Sequence, residues 1–198
     1  ATMTQRVLWA GLVGGAVLFV CGAISHMVLP LGEVGIKQLS NEEAVLAPMR
    51  ANITEPGLYF LPGMDESPGM SPEQKQEAEK KWEERYRAGP NGILIYHPQG
   101  QQPLSPKQLV TELLADIAAA LVAAFLLAKT AGLGFGPRVL FVVLLGLFTS
   151  LDVHVSYWNW YGFPSDFTLA TMADALIGWA AVGLTLAGII KPGASTAA

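Results

Sequence analysis

Cysteine is nearly absent from this chain, with Cys21 alone among 198 residues. A lone thiol can form no internal disulfide and no cysteine-based metal centre, so Cys21 is expected to serve as a small packing residue. The bulky Val20 before it fits a lipoprotein cleavage site poorly. Charge is scarce as well. Asp, Glu, Lys and Arg together make up 14% of the residues, where about a quarter is usual for a soluble domain. No Gly-rich phosphate loop, GxSxG elbow, HExxH pair or CxxC pair occurs, so no recognised catalytic signature is present. No internal repeat is visible, which leaves little basis for alternating access by four helices. Basic residues do not cluster without acidic ones among them, and no nucleic-acid partner is expected.

Long apolar runs are what the chain has instead. Hydrophobic residues make up 52% of it, and four tracts stand out: Val7 to Leu29, Leu109 to Leu127, Val139 to Val155 and Leu169 to Ile190. Each approaches the ~20 residues that cross ~30 Å of hydrocarbon at about 1.5 Å per residue. The first tract is longer than a typical signal core and reads as a permanent helix. The expected fold is an all-α polytopic membrane protein. It is a four-transmembrane-helix bundle with a small extracytoplasmic α+β insertion between its first two helices. The expected segments are 1–29 for the first helix, 30–107 for the insertion and 108–198 for the remaining three helices.

Orientation follows from the short loops. Arg6 precedes the first tract, Lys129 and Arg138 bracket the connection between the second and third, and Lys191 follows the fourth. The connection from His154 to Thr168 has no Lys or Arg. The positive-inside rule then puts both termini in the cytoplasm and residues 30–107 outside. A bacterial inner membrane is the default location.

Within the insertion, Ser40-Asn41-Glu42-Glu43 reads as a capping box opening a short helix that Pro48 should limit. "GLYFLPG" and "NGILIYHP" read as short strands expected to pair. Between them Ser71 caps a helix with Pro72 in its first turn and Gly89-Pro90 as its stop. Trp82 and Tyr86, one turn apart, give that helix an aromatic edge for docking on the rest of the insertion or on the membrane. His97 has no second histidine nearby and reads as inert.

Gly11, Gly15 and Gly22 share a face of the first helix, and such small residues let helices approach closely. They are the expected helix-packing interface, and Gly11-xxx-Gly15 is also the first candidate for seating another membrane subunit. Tyr157, Trp158, Trp160 and Tyr161 fall where the third helix reaches the headgroups and should anchor it there. Ser165 or Asp166 should then cap the fourth helix.

The candidate site rests on depth. Asp116, Asp152 and Asp174 each lie roughly 10 Å below the outer boundary on three different helices. Glu112 is one turn above Asp116, His154 just above Asp152, and His26 near the outer surface of the first helix. No Lys or Arg lies inside the tracts to neutralise them. Ionisable groups in hydrocarbon turn inward and find partners. Three arrangements satisfy this. The carboxyls can be neutral and hydrogen-bonded, they can share protons with His26 and His154, or they can hold a metal ion through imidazole and carboxylate. Asp152 and His154 are about 200° apart on a helix, so both cannot serve one point without unwinding. Asp152 is expected to face the bundle centre beside Asp116 and Asp174.

Two functional classes follow. The leading expectation is a non-catalytic accessory subunit of a larger membrane complex of respiratory, photosynthetic or oxidase-like kind, partnered by membrane lipids and other membrane subunits. The alternative is a small membrane enzyme or an ion- or metal-binding protein that uses the outer acidic cluster.

Overall fold

The structure is a computed structural model and describes residues 2–130 and 132–191. It divides into two compact units. One comprises Ala1–Ile36 with Pro103–Ala198, and the other Lys37–Gln102. The second is narrower than the 30–107 expected, because Pro30–Glu33 forms a 3-10 turn that packs back on helices of the first unit.

The first unit contains α1 (Met3–Met27), α4 (Pro106–Ala128), α5 (Phe135–Tyr161) and α6 (Ser165–Ile189). All four are long and apolar enough to cross a membrane. This is a multi-pass membrane protein. Thr2 with Gln5 and Ser105 with Gln108 form capping boxes that fix the starts of α1 and α4. The left-handed Gly162 ends α5, a conformation open to glycine at little cost. Neither Ser165 nor Asp166 caps α6 as expected. The N-cap is Pro164, and the Ser165 hydroxyl instead accepts the Trp158 indole N–H at 3.0 Å.

The helices pack in the order α4, α1, α6, α5, so that α1 and α6 are central and α4 and α5 each have one principal neighbour. Glycines set these contacts. Gly11 and Gly15 lie against Leu121 and Ile117 of α4. This GxxxG face is therefore used within the chain and is not free to seat another subunit. Gly146 of α5 receives Trp179 of α6, and a Cβ at Gly146 would sit 2.5 Å from the indole. Gly183 approaches Val139, whose carbonyl oxygen would be 3.0 Å from a Cβ there. The sealed core is small and lies toward the Arg138 end, with Ala120, Ala124, Leu127, Val142, Val182, Leu186 and Ile190 buried. Arg138 was expected to bracket the connection between the second and third helices. It lies in the first turn of α5, only 2% exposed, with its Nε unpartnered among the described residues.

The second unit holds α2 (Glu42–Asn52), β1 (Gly57–Leu61), α3 (Pro72–Ala88) and β2 (Gly92–Tyr96). The strands pair antiparallel with Leu58 opposite Ile95 and Phe60 opposite Ile93. Asn41, not Ser40, caps α2, and Pro48 lies inside that helix, which runs on to Asn52. Ser71 and Gln74 box the start of α3. The aromatic edge of α3 docks within its own unit. The Trp82 indole donates to the Pro62 carbonyl at 2.9 Å, and Tyr86 stacks on Phe60 at 6.4 Å between centroids.

Candidate functional site

Close approach on α1 stops after Gly15. Gly22, two turns on, has no atom of another element within 4 Å of where its Cβ would be. It was expected on the packing face. It instead borders a cavity of about 380 Å³ between α1, α4 and α6. The reason is on the neighbouring helices. Bulky Leu18 and Trp179 lie at this level, and Leu18 already presses on Gly178, where a Cβ would meet its Cδ1 at 2.8 Å. The helices separate beyond that contact.

One imidazole and three carboxyls line this cavity: His26 from α1, Glu112 and Asp116 from α4, and Asp174 from α6. His26 Nε2 lies 3.5 Å from Asp174 Oδ2, a contact that becomes an ion pair when the imidazole carries its second proton. The other ring edge is held from the opposite side. Gly32, in the 3-10 turn, lies so close to His26 Nδ1 that no side chain would fit there. Gly35, with φ of 78°, crosses just as closely over Phe167 and Asp166. The turn therefore folds down on the ends of α1 and α6 at the mouth of the cavity.

Of the residues expected at one depth, His26, Glu112, Asp116 and Asp174 line this cavity, and Asp152 and His154 do not. The reason is azimuth. The stripe that seats α5 passes through Arg138, Val142, Gly146 and Ser150, and two residues beyond Ser150 is about 200° around the helix. Asp152 consequently faces away from the bundle and is exposed, and His154 is half-buried.

Cys21, expected to serve as a small packing residue, also borders the cavity. No group of three His, Cys, Asp or Glu among the described residues is close enough to hold one metal ion. Three carboxyls and one imidazole spread around such a volume suit a hydrated cation or a protonated amine better than a directly chelated ion.

The aromatic end of α5 is a separate feature. Tyr157, Trp158, Trp160 and Tyr161 are all exposed. Tyr157 packs edge-on to Tyr161 at 5.6 Å and against Phe163 at 5.5 Å, and Phe163 continues to Phe167 at 5.5 Å. The rings thus brace the turn into α6 and leave Trp160 the most exposed of the four. No family model, curated protein or solved structure matches this chain.

Proposed function

We propose that this protein is a non-catalytic accessory subunit of a larger membrane assembly, with residues 37–102 on the outer side as the docking element and both termini in the cytoplasm. The observation that carries the reading is the thinness of the second unit. Pro62 is its only buried residue, and a two-stranded sheet is marginal in water without further support. Its directly opposed cross-strand pair, Leu58 and Ile95, is 71% and 70% exposed. An apolar pair left open on so small a unit is the kind of surface that a partner covers.

Extraction in mild detergent followed by native mass measurement tests this. A second, stoichiometric polypeptide should accompany the chain and should be lost when Leu58→Lys and Ile95→Lys are introduced together. Recovery of this chain alone, in whatever copy number and under every mild condition, would sink the proposal. For orientation, a cysteine at Glu79 should react with an impermeant thiol reagent in intact cells, while one at Thr130 should not. The reverse pattern would invert the topology.

A second reading has its own observation, the acidic cavity that carries the His26–Asp174 contact. In that reading the cavity holds a small cation presented from outside. Calorimetric titration of the purified protein with divalent cations and with simple alkylammonium ions would test it. Binding should weaken when Asp116→Asn and Asp174→Asn are combined, and equal binding by that variant would remove the cavity from consideration.

A further inference from the structure

Thr149, Asp152, Ser156 and Asn159 recur along α5 at spacings of three, four and three residues. At about 3.6 residues per turn these positions fall in one stripe. All four are exposed, and Asp152 lies on the side of the helix opposite the stripe that packs on α6. The Thr149 hydroxyl donates to the Leu145 carbonyl of its own helix at 3.1 Å, leaving its oxygen free to accept. Asp152, Ser156 and Asn159 make no side-chain hydrogen bond with any of the described residues.

The other outward faces are different. Along their middles α1 exposes Leu12, Val13 and Val20, α4 exposes Leu114, Val122 and Phe125, and α6 exposes Ile177 and Leu184. The half of α5 nearer Arg138 exposes Leu140, Leu144 and Phe148. Those faces suit lipid. Asp152 does not. It lies six residues before Trp158, or roughly 9 Å deeper along the helix. Acids at that depth rarely face hydrocarbon and mark a polar contact with another helix.

We propose that this stripe is the interface of a homodimer, with α5 of two copies running parallel about a two-fold axis normal to the membrane. The stripe is complementary to itself. The hydroxyls and the amide each donate and accept, and a neutral carboxyl does both, so no partner Lys or Arg is needed. Two copies inserted with one topology present α5 at the same depth and in the same direction. Each residue of the stripe then meets its own counterpart near the axis, as an isologous contact requires. Alternating spacings of three and four residues are those of a left-handed helix pair, and a single seam asparagine is a known device for fixing register and a two-stranded state. In the dimer the two Asp152 carboxyls meet across the axis as a hydrogen-bonded pair. Ser156 and Asn159 repeat the pairing one and two turns nearer the interface. This goes beyond the accessory role and does not depend on it, because the Leu58–Ile95 surface is not involved.

Disulfide trapping of the full-length chain in native membranes tests the proposal, with Cys21→Ala as background. Ser156→Cys and Asn159→Cys should each give an oxidised species of twice the chain mass, while Val122→Cys on the exposed face of α4 should not. In purified protein followed by dilution and energy transfer, Asp152→Asn should dimerise like the parent. Asp152→Leu should weaken dimerisation roughly threefold to tenfold, as expected for lost interhelical hydrogen bonds. The proposal fails if the α5 cysteines cross-link no better than Val122→Cys. It fails equally if they trap a different polypeptide, or if Asp152→Leu dimerises as well as Asp152→Asn.

Discussion

Gly15 of α1 rests against the main chain of Ile117 in α4 so closely that a methyl group at position 15 would overlap it. Backbone cannot yield as a flexible side chain can, so this contact fixes the spacing of the two helices. Gly15→Ala should therefore destabilise the bundle by about 1–3 kcal/mol through overpacking. Gly11→Ala should cost less, because two of the atoms it would meet first belong to the Leu121 side chain. Gly22→Ala should cost nothing, since its added methyl enters open space. Thermal unfolding in detergent ranks the three variants. A Gly22→Ala protein as unstable as Gly15→Ala would contradict the assignment of the cavity.

Trp82 is the tie between α3 and the end of β1. Its indole bond to the Pro62 carbonyl has a length of 2.9 Å, and Tyr86 adjoins it at 5.2 Å between centroids. Trp82→Phe keeps most of the ring and removes the donor, which should cost about 1 kcal/mol. Trp82→Ala also strips the apolar contact and should cost more. The readout is hydrogen exchange at the amides of Gly57–Leu61 and Gly92–Tyr96 in the full-length protein. Unchanged protection in Trp82→Ala would show that the sheet does not depend on α3.

Asp65 provides a pH-dependent element in the same unit. The Ser67 hydroxyl donates to its carboxylate at 2.6 Å, and the Ser67 backbone N–H donates at 3.1 Å. Both bonds favour the charged form and hold the carboxyl below its ordinary value of 3.8, the hydroxyl being the larger cause. A depressed acid contributes its stabilisation above the unfolded value and loses it as pH falls through the folded one. The Asp65–Ser67 turn should accordingly be intact at neutral pH and at pH of about 5, and should release only in acid below the ordinary value. Ser67→Ala should raise the carboxyl toward that value without reaching it, because the backbone donor remains. Carboxyl-detected NMR titration shows the midpoint directly, and an identical midpoint in Ser67→Ala would refute the account.

What is legible in the sequence of this protein has a physical cause. Apolar length marks a membrane helix on its own, so all four spans could be located, although α5 begins at Phe135 and takes in Arg138. Strand pairing was equally accessible, since "GLYFL" and "GILIY" are apolar runs bounded by turn residues. Depth along a helix follows from counting residues, and this grouped His26, Glu112, Asp116 and Asp174. Azimuth does not follow from counting, because it depends on which neighbours a helix chooses. The order α4, α1, α6, α5 turned Asp152 outward and Gly22 toward a void. One signal for Asp152 was nonetheless present: the polar spacing Thr149, Asp152, Ser156, Asn159 lies on a different side of α5 from the small pair Gly146 and Ser150, and small residues mark the face where helices approach.

Cys21 offers a reporter for the cavity that requires no introduced label site. It is the only cysteine in the chain, and it borders the same space as Glu112, Asp116 and Asp174. Three carboxyls around a recess should concentrate cations and repel anions, and fields of this kind change association rates by roughly tenfold or more. A small cationic methanethiosulfonate should therefore modify Cys21 roughly tenfold faster than an anionic one of similar size, after correction for their intrinsic reactivities. The ratio should shrink as salt rises, since screening shortens the reach of exposed charges. It should also shrink in the combined Asp116→Asn and Asp174→Asn variant, whereas Asp152→Asn should leave it unchanged because that carboxyl lies on the far side of α5. If the rate ratio is near one in the parent, the carboxyls exert no field in the cavity and the cation-binding reading loses its basis. A ratio that falls with Asp152→Asn would instead mean that α5 stands close to the cavity, against the helix order described above.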